Sequence, residues 1–369
     1  MAWNQNLHKL AEVLVGYSAN IKPDDEVAII GSDLAAPLVQ EVYREVLLAG
    51  GHPTVICRPA DLDYIFYQNA TSEQIAHKPA LFTHVAENFD AIIRIASDHN
   101  ARTLSGIDSR RIARRQQATE EVMATFMRRA AEEELNWVLT QFPTHACAQE
   151  AEMALTEYRE FFRLACKLDQ EDPVSLWEEI DAQQQRIVER LNEVEEIRIV
   201  SNDTDLTLSV AGRTWINCCG HENYPDGEVF TGPVEDSANG HVRFSFPGIY
   251  SGKEIQDIRL TFKDGEVTEA DAAKGQQLLE DLLETDEGAR RLGELGVGTN
   301  HGITRFTKNM LFDEKMGGTV HLALGRGYPE SGSSNESGIH WDILCDMKDG
   351  GTIYGDGEVV YEDGRFLIE

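Results

Sequence analysis

No stretch of this chain approaches the roughly eighteen consecutive apolar residues of a membrane-spanning helix, so none is expected. The opening MAWNQNLHKLAE is polar and lacks the basic and apolar regions of a secretory leader. Cysteine is scarce: six in 369 residues, irregularly spaced, with no CxxC. That usage excludes a disulfide framework and fits reduced thiols in a soluble, cytoplasmic protein. The adjacent Cys218 and Cys219 read as two small buried apolar residues. Positive charge is the other deficit. A formal net charge of -31 excludes nucleic acid and anionic membranes as partners, because both need a basic surface. The GSD turn after the first predicted strand lacks the GxGxxG spacing, which argues against a nucleotide site there. Repeats and low-complexity segments are absent too.

What is present divides at about residue 196. The first part alternates strands and helices: DEVAIIGS, then the amphipathic APLVQEVYREVLLAGG, then PTVICRP and FDAIIRIAS. This βαβ pattern predicts an α/β domain with a mainly parallel sheet. From about Ser109 to Glu196 the chain turns helical and charged, and Arg110, Arg111, Arg114 and Arg115 read as one solvated helix face rather than an anion site. After Ile197 come short strands separated by glycine turns, with one helix around Ala270 to Glu284. KDGEV and YEDGRF are Asp-Gly hairpin signals. Two domains are expected: 1–196, α/β with a helical segment, and 197–369, α+β and β-rich.

The chemistry is concentrated in the second domain, in a few short segments. Glu228 stands in GEVFTGP, Glu294 in ELGVGTN, His321 in GTVHLALG, and His340 and Asp342 in SGIHWD. Imidazole and carboxylate groups bind borderline or hard divalent metals, and a site without thiolates keeps positions open for water. In a strand, residues two apart project from one face, so His340 and Asp342 reach one ion together. Glu228 follows the turn NYPDG and starts a strand, whereas Glu294, between Gly293 and Gly296, is expected at a loop or strand entry. Five ligands exceed one tetrahedral zinc but suit two ions about 3.5–4 Å apart that share a carboxylate.

These segments resemble the aminopeptidase T family of metallopeptidases, which includes aminopeptidases S and II. The matching stretches are TDLTLSVAGRTW, NYPDGEVFTGPVEDSANGHVRF, ELGVGTNHGI, DEKMGGTVHLALG and YPESGSSNESGIHWDILCDM, and the likeness extends in order over essentially the whole chain. Pro23 followed by Asp24-Asp25, and the Cys218-Cys219 doublet, depart from the family pattern. The resemblance implies that Glu228, Glu294, His321, His340 and Asp342 are the metal ligands and that Tyr328, in GRGYPE, stands beside the metals. It further implies two divalent ions, zinc or cobalt with magnesium or manganese as alternatives, and a homodimer that removes N-terminal residues from short peptides by a metal-bound hydroxide. On this reading Glu294 is also the candidate base, and Tyr328 a donor to the oxyanion. Asp313, Glu314 and Glu330 lie near the right segments to meet a free α-amine, and Arg213 and Arg326 are candidates for holding a peptide carbonyl or carboxylate. A carboxypeptidase or amidase, or a non-catalytic metal-binding assembly protein, would use the same ligands.

Overall fold

The computed structural model describes residues Ala2–Leu367. The chain forms two compact units, Met1–Val174 with Gly220–Pro225, and Ser175–Cys219 with Asp226–Glu369.

The first unit contains a five-stranded parallel sheet in the order His52–Cys57, Glu26–Gly31, Ala91–Ala96, Asn136–Gln141, Asn223–Tyr224. Its strands form where β-branched residues run together. Val27, Ala28 and Ile29 are fully buried, as a parallel strand covered on both faces requires. The helix Ala36–Leu48 buries Leu38, Val42 and Val46, one residue per turn along a single stripe. The strand Asn136–Gln141 is not foreseen from the sequence, because NWVLTQ has three apolar residues between polar ends, too short a periodic signal. Arg111 and Arg115, on the long helix Ser109–Ala131, donate to carbonyls of Tyr67, Ala70, Ile75 and His77, and so tie neighbouring short helices to it. Among the described residues no helix is long and apolar enough to cross a membrane.

The second unit is built on two antiparallel sheets. One has eight strands, in the order Glu266–Asp271, Arg259–Lys263, Asn239–Arg243, Thr204–Ser209, Glu196–Ser201, Thr352–Gly355, Glu358–Glu362, Arg365–Phe366. The other has five: His340–Asp346, Thr319–Gly325, Leu292–Gly298, Glu228–Thr231, Ile216–Cys218. One hydrophobic cluster joins them, with Ile197, Leu206, Val242 and Leu260 from the first sheet and Val229, Leu295, Val297, Leu322 and Ile343 from the second. Both Asp-Gly hairpins are present. Asp264 and Gly265, and likewise Asp363 and Gly364, all have positive φ, the backbone that two-residue hairpins demand. The predicted helix is shorter than expected, Gln276–Leu283, because the preceding strand runs on to Asp271. The α/β first part and the β-rich second part are thus both as the sequence indicates.

Candidate metal centre

The five-stranded sheet alternates in side-chain direction, and the alternation separates stability from chemistry. Val229, Leu295, Val297, Val320, Leu322, Leu324, Trp341 and Ile343 point to the hydrophobic cluster. Residues one step along each strand point to the opposite face: Glu228, Glu294, His321, His340 and Asp342. Cross-strand register brings them together, with Gly298 opposite Glu228, Ala323 between Glu294 and Asp342, and Gly325 opposite His340. Small residues on this face leave room for the long ones.

The side chains converge. His321 Nε2 lies 3.0 Å from Glu294 Oε1 and 3.5 Å from Glu228 Oε2. His340 Nε2 lies 3.3 Å from Asp342 Oδ2 and 3.6 Å from Glu294 Oε2. Two groups result, Glu228–Glu294–His321 and Glu294–His340–Asp342, each with its ligand atoms within 4.8 Å of one another, and Glu294 belongs to both. Glu228, Glu294, His321 and Asp342 are buried. Among the described residues, Glu228 Oε2, Glu294 Oε2, Asp342 Oδ1 and His321 Nδ1 are buried without a hydrogen-bond partner. Three orphaned carboxylate oxygens on one face cost folding free energy unless a cation meets them, so the donor set fits divalent metal.

Glu294 is not at a loop. It lies inside the central strand Leu292–Gly298, where a register shift between Leu292 and Glu294 marks an irregularity at Gly293. A Cβ on Gly293 would meet the Gly325 carbonyl oxygen at 2.3 Å and that of Arg326 at 2.4 Å, so only glycine passes there.

Supporting contacts orient the candidate ligands. His340 Nδ1 is 2.7 Å from the Arg326 carbonyl, which fixes that nitrogen as the donor and leaves Nε2 free for the centre. Gln184, buried on the helix Pro173–Leu191, donates to the carbonyls of Glu228 at 3.1 Å and Cys218 at 2.9 Å and so holds the strand on which Glu228 begins. Nothing in the sequence pattern of that helix marks Gln184 as different from its neighbours.

Burial opposes charge on both histidines, yet the surrounding carboxylates outweigh it. The pKa of His321 rises to about 9 through its hydrogen bond to Glu294 and the charges of Glu228, Glu294 and Asp342. That of His340 rises to about 10, chiefly through Asp342. Without metal both imidazoles hold a proton at neutral pH, and a bound cation must displace it.

Tyr328 sits on the Arg326–Ile339 segment, with its ring centroid 5.1 Å from that of His340 and 5.5 Å from that of Phe230. Partial burial, then the charges of Glu294 and Asp342, push its phenol above the ordinary value, so it remains protonated and a donor. The segment is anchored by Asn335, which donates to the Gly288 carbonyl, by Glu235, which accepts from Ser334, and by Asp286, which accepts from Ser337 and Gly338.

The remaining candidates separate cleanly. Asp313 is consumed by Thr307 and Asn309, whose donors it accepts, and Glu330 is exposed. Glu314 adjoins the centre through Lys315: burial raises its pKa to about 8, the Lys315 ammonium opposes the rise, and the charges of Glu228 and Asp342 add to it. Beside it lies Lys315, to which no sequence signal points; its ammonium contacts Glu314 and Glu228. Arg213 pairs with Glu235, and Arg326 donates to the Ser337 carbonyl.

Known proteins share this arrangement of chain. Aminopeptidase 2 of Geobacillus stearothermophilus is 30% identical, over 100% of this chain and 99% of its own length. Aminopeptidase AmpS of Bacillus subtilis is 28% identical over 100% of both. The solved structure of wild-type AmpT from Thermus thermophilus superposes with a TM-score of 0.85 at 25% identity, covering 98% of this chain and 99% of that one. The family described as thermophilic metalloprotease (M29) matches residues 3–366, and the chain accordingly belongs to that family of metal-dependent peptide-bond hydrolases.

Proposed function

We propose that this protein is an aminopeptidase with a dinuclear metal centre, releasing N-terminal amino acids from short peptides. The observation that carries the proposal is the membership of Glu294 in both ligand groups, from which one carboxylate would serve two ions. Glu228 and His321 would complete one ion's ligands, and His340 and Asp342 the other's. Two divalent ions, zinc or cobalt with magnesium or manganese as alternatives, would polarise the scissile carbonyl and acidify water enough to furnish a nucleophile at neutral pH.

The chain's own groups do the rest. Tyr328, held protonated, donates to the carbonyl oxygen as negative charge develops on it. Glu294, with its two oxygens committed to two ligand groups, has little left to accept a proton. Glu314, paired with the Lys315 ammonium, would be ionised once cations occupy the centre and would then take the proton from water as the new C–O bond forms. It returns that proton to the departing nitrogen as the C–N bond breaks. A carboxylate-rich centre also suits a substrate that arrives with a free α-ammonium. The family resemblance supports a homodimer, and six free cysteines support a reducing, cytoplasmic setting.

The test is hydrolysis of leucine p-nitroanilide and of matched peptides with free or acetylated N-termini. Turnover of the free peptides alone, abolished by EDTA and restored by added metal, is the expected result. Equal cleavage of the acetylated series would indicate a carboxypeptidase or amidase instead. Bound metal without turnover on any peptide would indicate an assembly protein. Tyr328→Phe is expected to lower kcat by about 10²–10³-fold, the scale for loss of one oxyanion donor, with metal content unchanged. An unaltered kcat would remove the phenol from the reaction.

A further inference from the structure

Lys315 has 0% exposure, and a lysine wholly removed from water is rare unless paired. Its ammonium offers three donors, and three carboxylates surround it: Glu228, with Oε1 at 3.2 Å, Asp226, with Oδ1 at 3.9 Å, and Glu314. Its backbone is fixed as well. The Lys315 N–H donates to the Phe312 carbonyl at 3.1 Å, and its carbonyl accepts from Asn300 N–H at 3.0 Å. A side chain so held cannot withdraw to solvent.

The two oxygens of Glu228 are divided by this contact. Oε1 meets the ammonium, while Oε2 has no hydrogen-bond partner and faces His321 at 3.5 Å. The charges also match. Glu228, Glu294, Asp342, Glu314 and Asp226 bring five potential negative charges into one largely buried region. Two divalent ions would supply four positive charges, and Lys315 supplies the fifth. In a low-dielectric interior an unbalanced charge is expensive, so such matching has consequences for assembly.

We propose that Lys315 is a built-in cation of the metal centre, a positioning residue that holds Glu228 by one oxygen, presents the other to an ion, and keeps the carboxylates gathered before metal arrives. This inference rests on the metal-centre reading above. Lys315 takes no part in the chemistry itself; it acts through Glu228 and Glu314. Its influence is therefore greatest in the metal-free protein, where no divalent ion offsets the acids that surround it.

The experiment compares thermal unfolding of the wild type, Lys315→Met and Lys315→Arg, each stripped with EDTA and each loaded with zinc chloride. Methionine keeps the volume of the lysine stem and removes the charge. The metal-free midpoint of Lys315→Met is expected to fall by about 10 °C, as for a buried ion pair that loses one partner, and the zinc-loaded midpoint by less than half as much. The stabilisation by zinc thus grows in this variant and returns toward the wild-type value in Lys315→Arg. Cobalt-loaded Lys315→Met should also show an altered visible absorption spectrum, because the freed Oε1 of Glu228 becomes available to the ion. Equal falls in the two metal states with an unchanged cobalt spectrum would overturn the proposal and leave Lys315 as packing. Should Lys315→Met fold in neither state, Lys315→Arg decides: a wild-type zinc shift supports the fixed cation, and a lost shift refutes it. A wild type that gains no stability from zinc would instead sink the metal-centre reading itself.

Discussion

Glu294→Ala is expected to lower kcat/KM on an amino acid p-nitroanilide by about 10⁴-fold, because it takes a ligand from both groups and with it the several kcal/mol of charge stabilisation that bound metal would supply. On the dinuclear reading proposed above, it also reduces bound metal from two ions per chain to one or none. The expectation follows from position. Among the described residues Glu294 is the one that belongs to both ligand groups, 3.0 Å from His321 and 3.6 Å from His340, so its removal takes a ligand from each group at once. Loss of His340 or Asp342, by contrast, takes a ligand from one group. The fold should survive, because Leu292, Leu295 and Val297 on the other face of the same strand supply its packing. Removing one of several crowded buried carboxylates also relieves repulsion in the metal-free state. The measurements are turnover, metal content by elemental analysis and circular dichroism on the same preparation. Glu330→Ala, at an exposed position on the segment that carries Tyr328, is the matched control and should keep activity. Substantial turnover in Glu294→Ala, with two ions retained, would show that the reaction does not run through this residue.

Part of this centre is legible in the order of amino acids alone, and the legible part is local. His340 and Asp342 sit two apart in a strand, and the pleat alone places them together. Glu228 follows a Pro-Asp-Gly turn, and the turn alone places it at a strand entrance. Hairpins at Asp264-Gly265 and Asp363-Gly364 are likewise fixed by two residues each. Glu294 is harder because its flanking glycines read as a loop or strand entry. They are in fact a bulge and a close approach inside a central strand, conditions created by neighbours that the local sequence does not contain. Lys315, in DEKMGG, has the look of an exposed turn. Its burial follows only when Asp226 and Glu228, remote in sequence, close around it. Gln184 is hidden for the same reason, since its three acceptors lie on strands that the helix meets only in the folded unit. Pattern reports which face a residue shares; it does not report which distant groups arrive there.

Gly296→Ala is expected to damage the centre although glycine has no functional group. Gly296 lies directly opposite His321 in the register of the two central strands, and the imidazole lies across it. A Cβ there would stand 2.1 Å from both Cε1 and Nε2 of His321, so the ring must move. Most metal-binding histidines are held by a hydrogen bond from the second ring nitrogen. Among the described residues His321 Nδ1 has no such partner, and the ring is therefore oriented by its walls, Gly296 foremost. Displacing the ring carries Nε2 away from Glu228 and Glu294. The expected results are a loss of about 100-fold in metal affinity, as for disrupted support of a ligand, and a stability loss of about 1–3 kcal/mol from overpacking. Activity at limiting metal should fall with the affinity and recover in part when metal is supplied in excess. Gly106→Ala, where an added Cβ meets nothing within 4 Å, should change none of these quantities. If Gly296→Ala keeps wild-type metal affinity and turnover, then His321 does not depend on that wall, and its place among the ligands loses its main physical support.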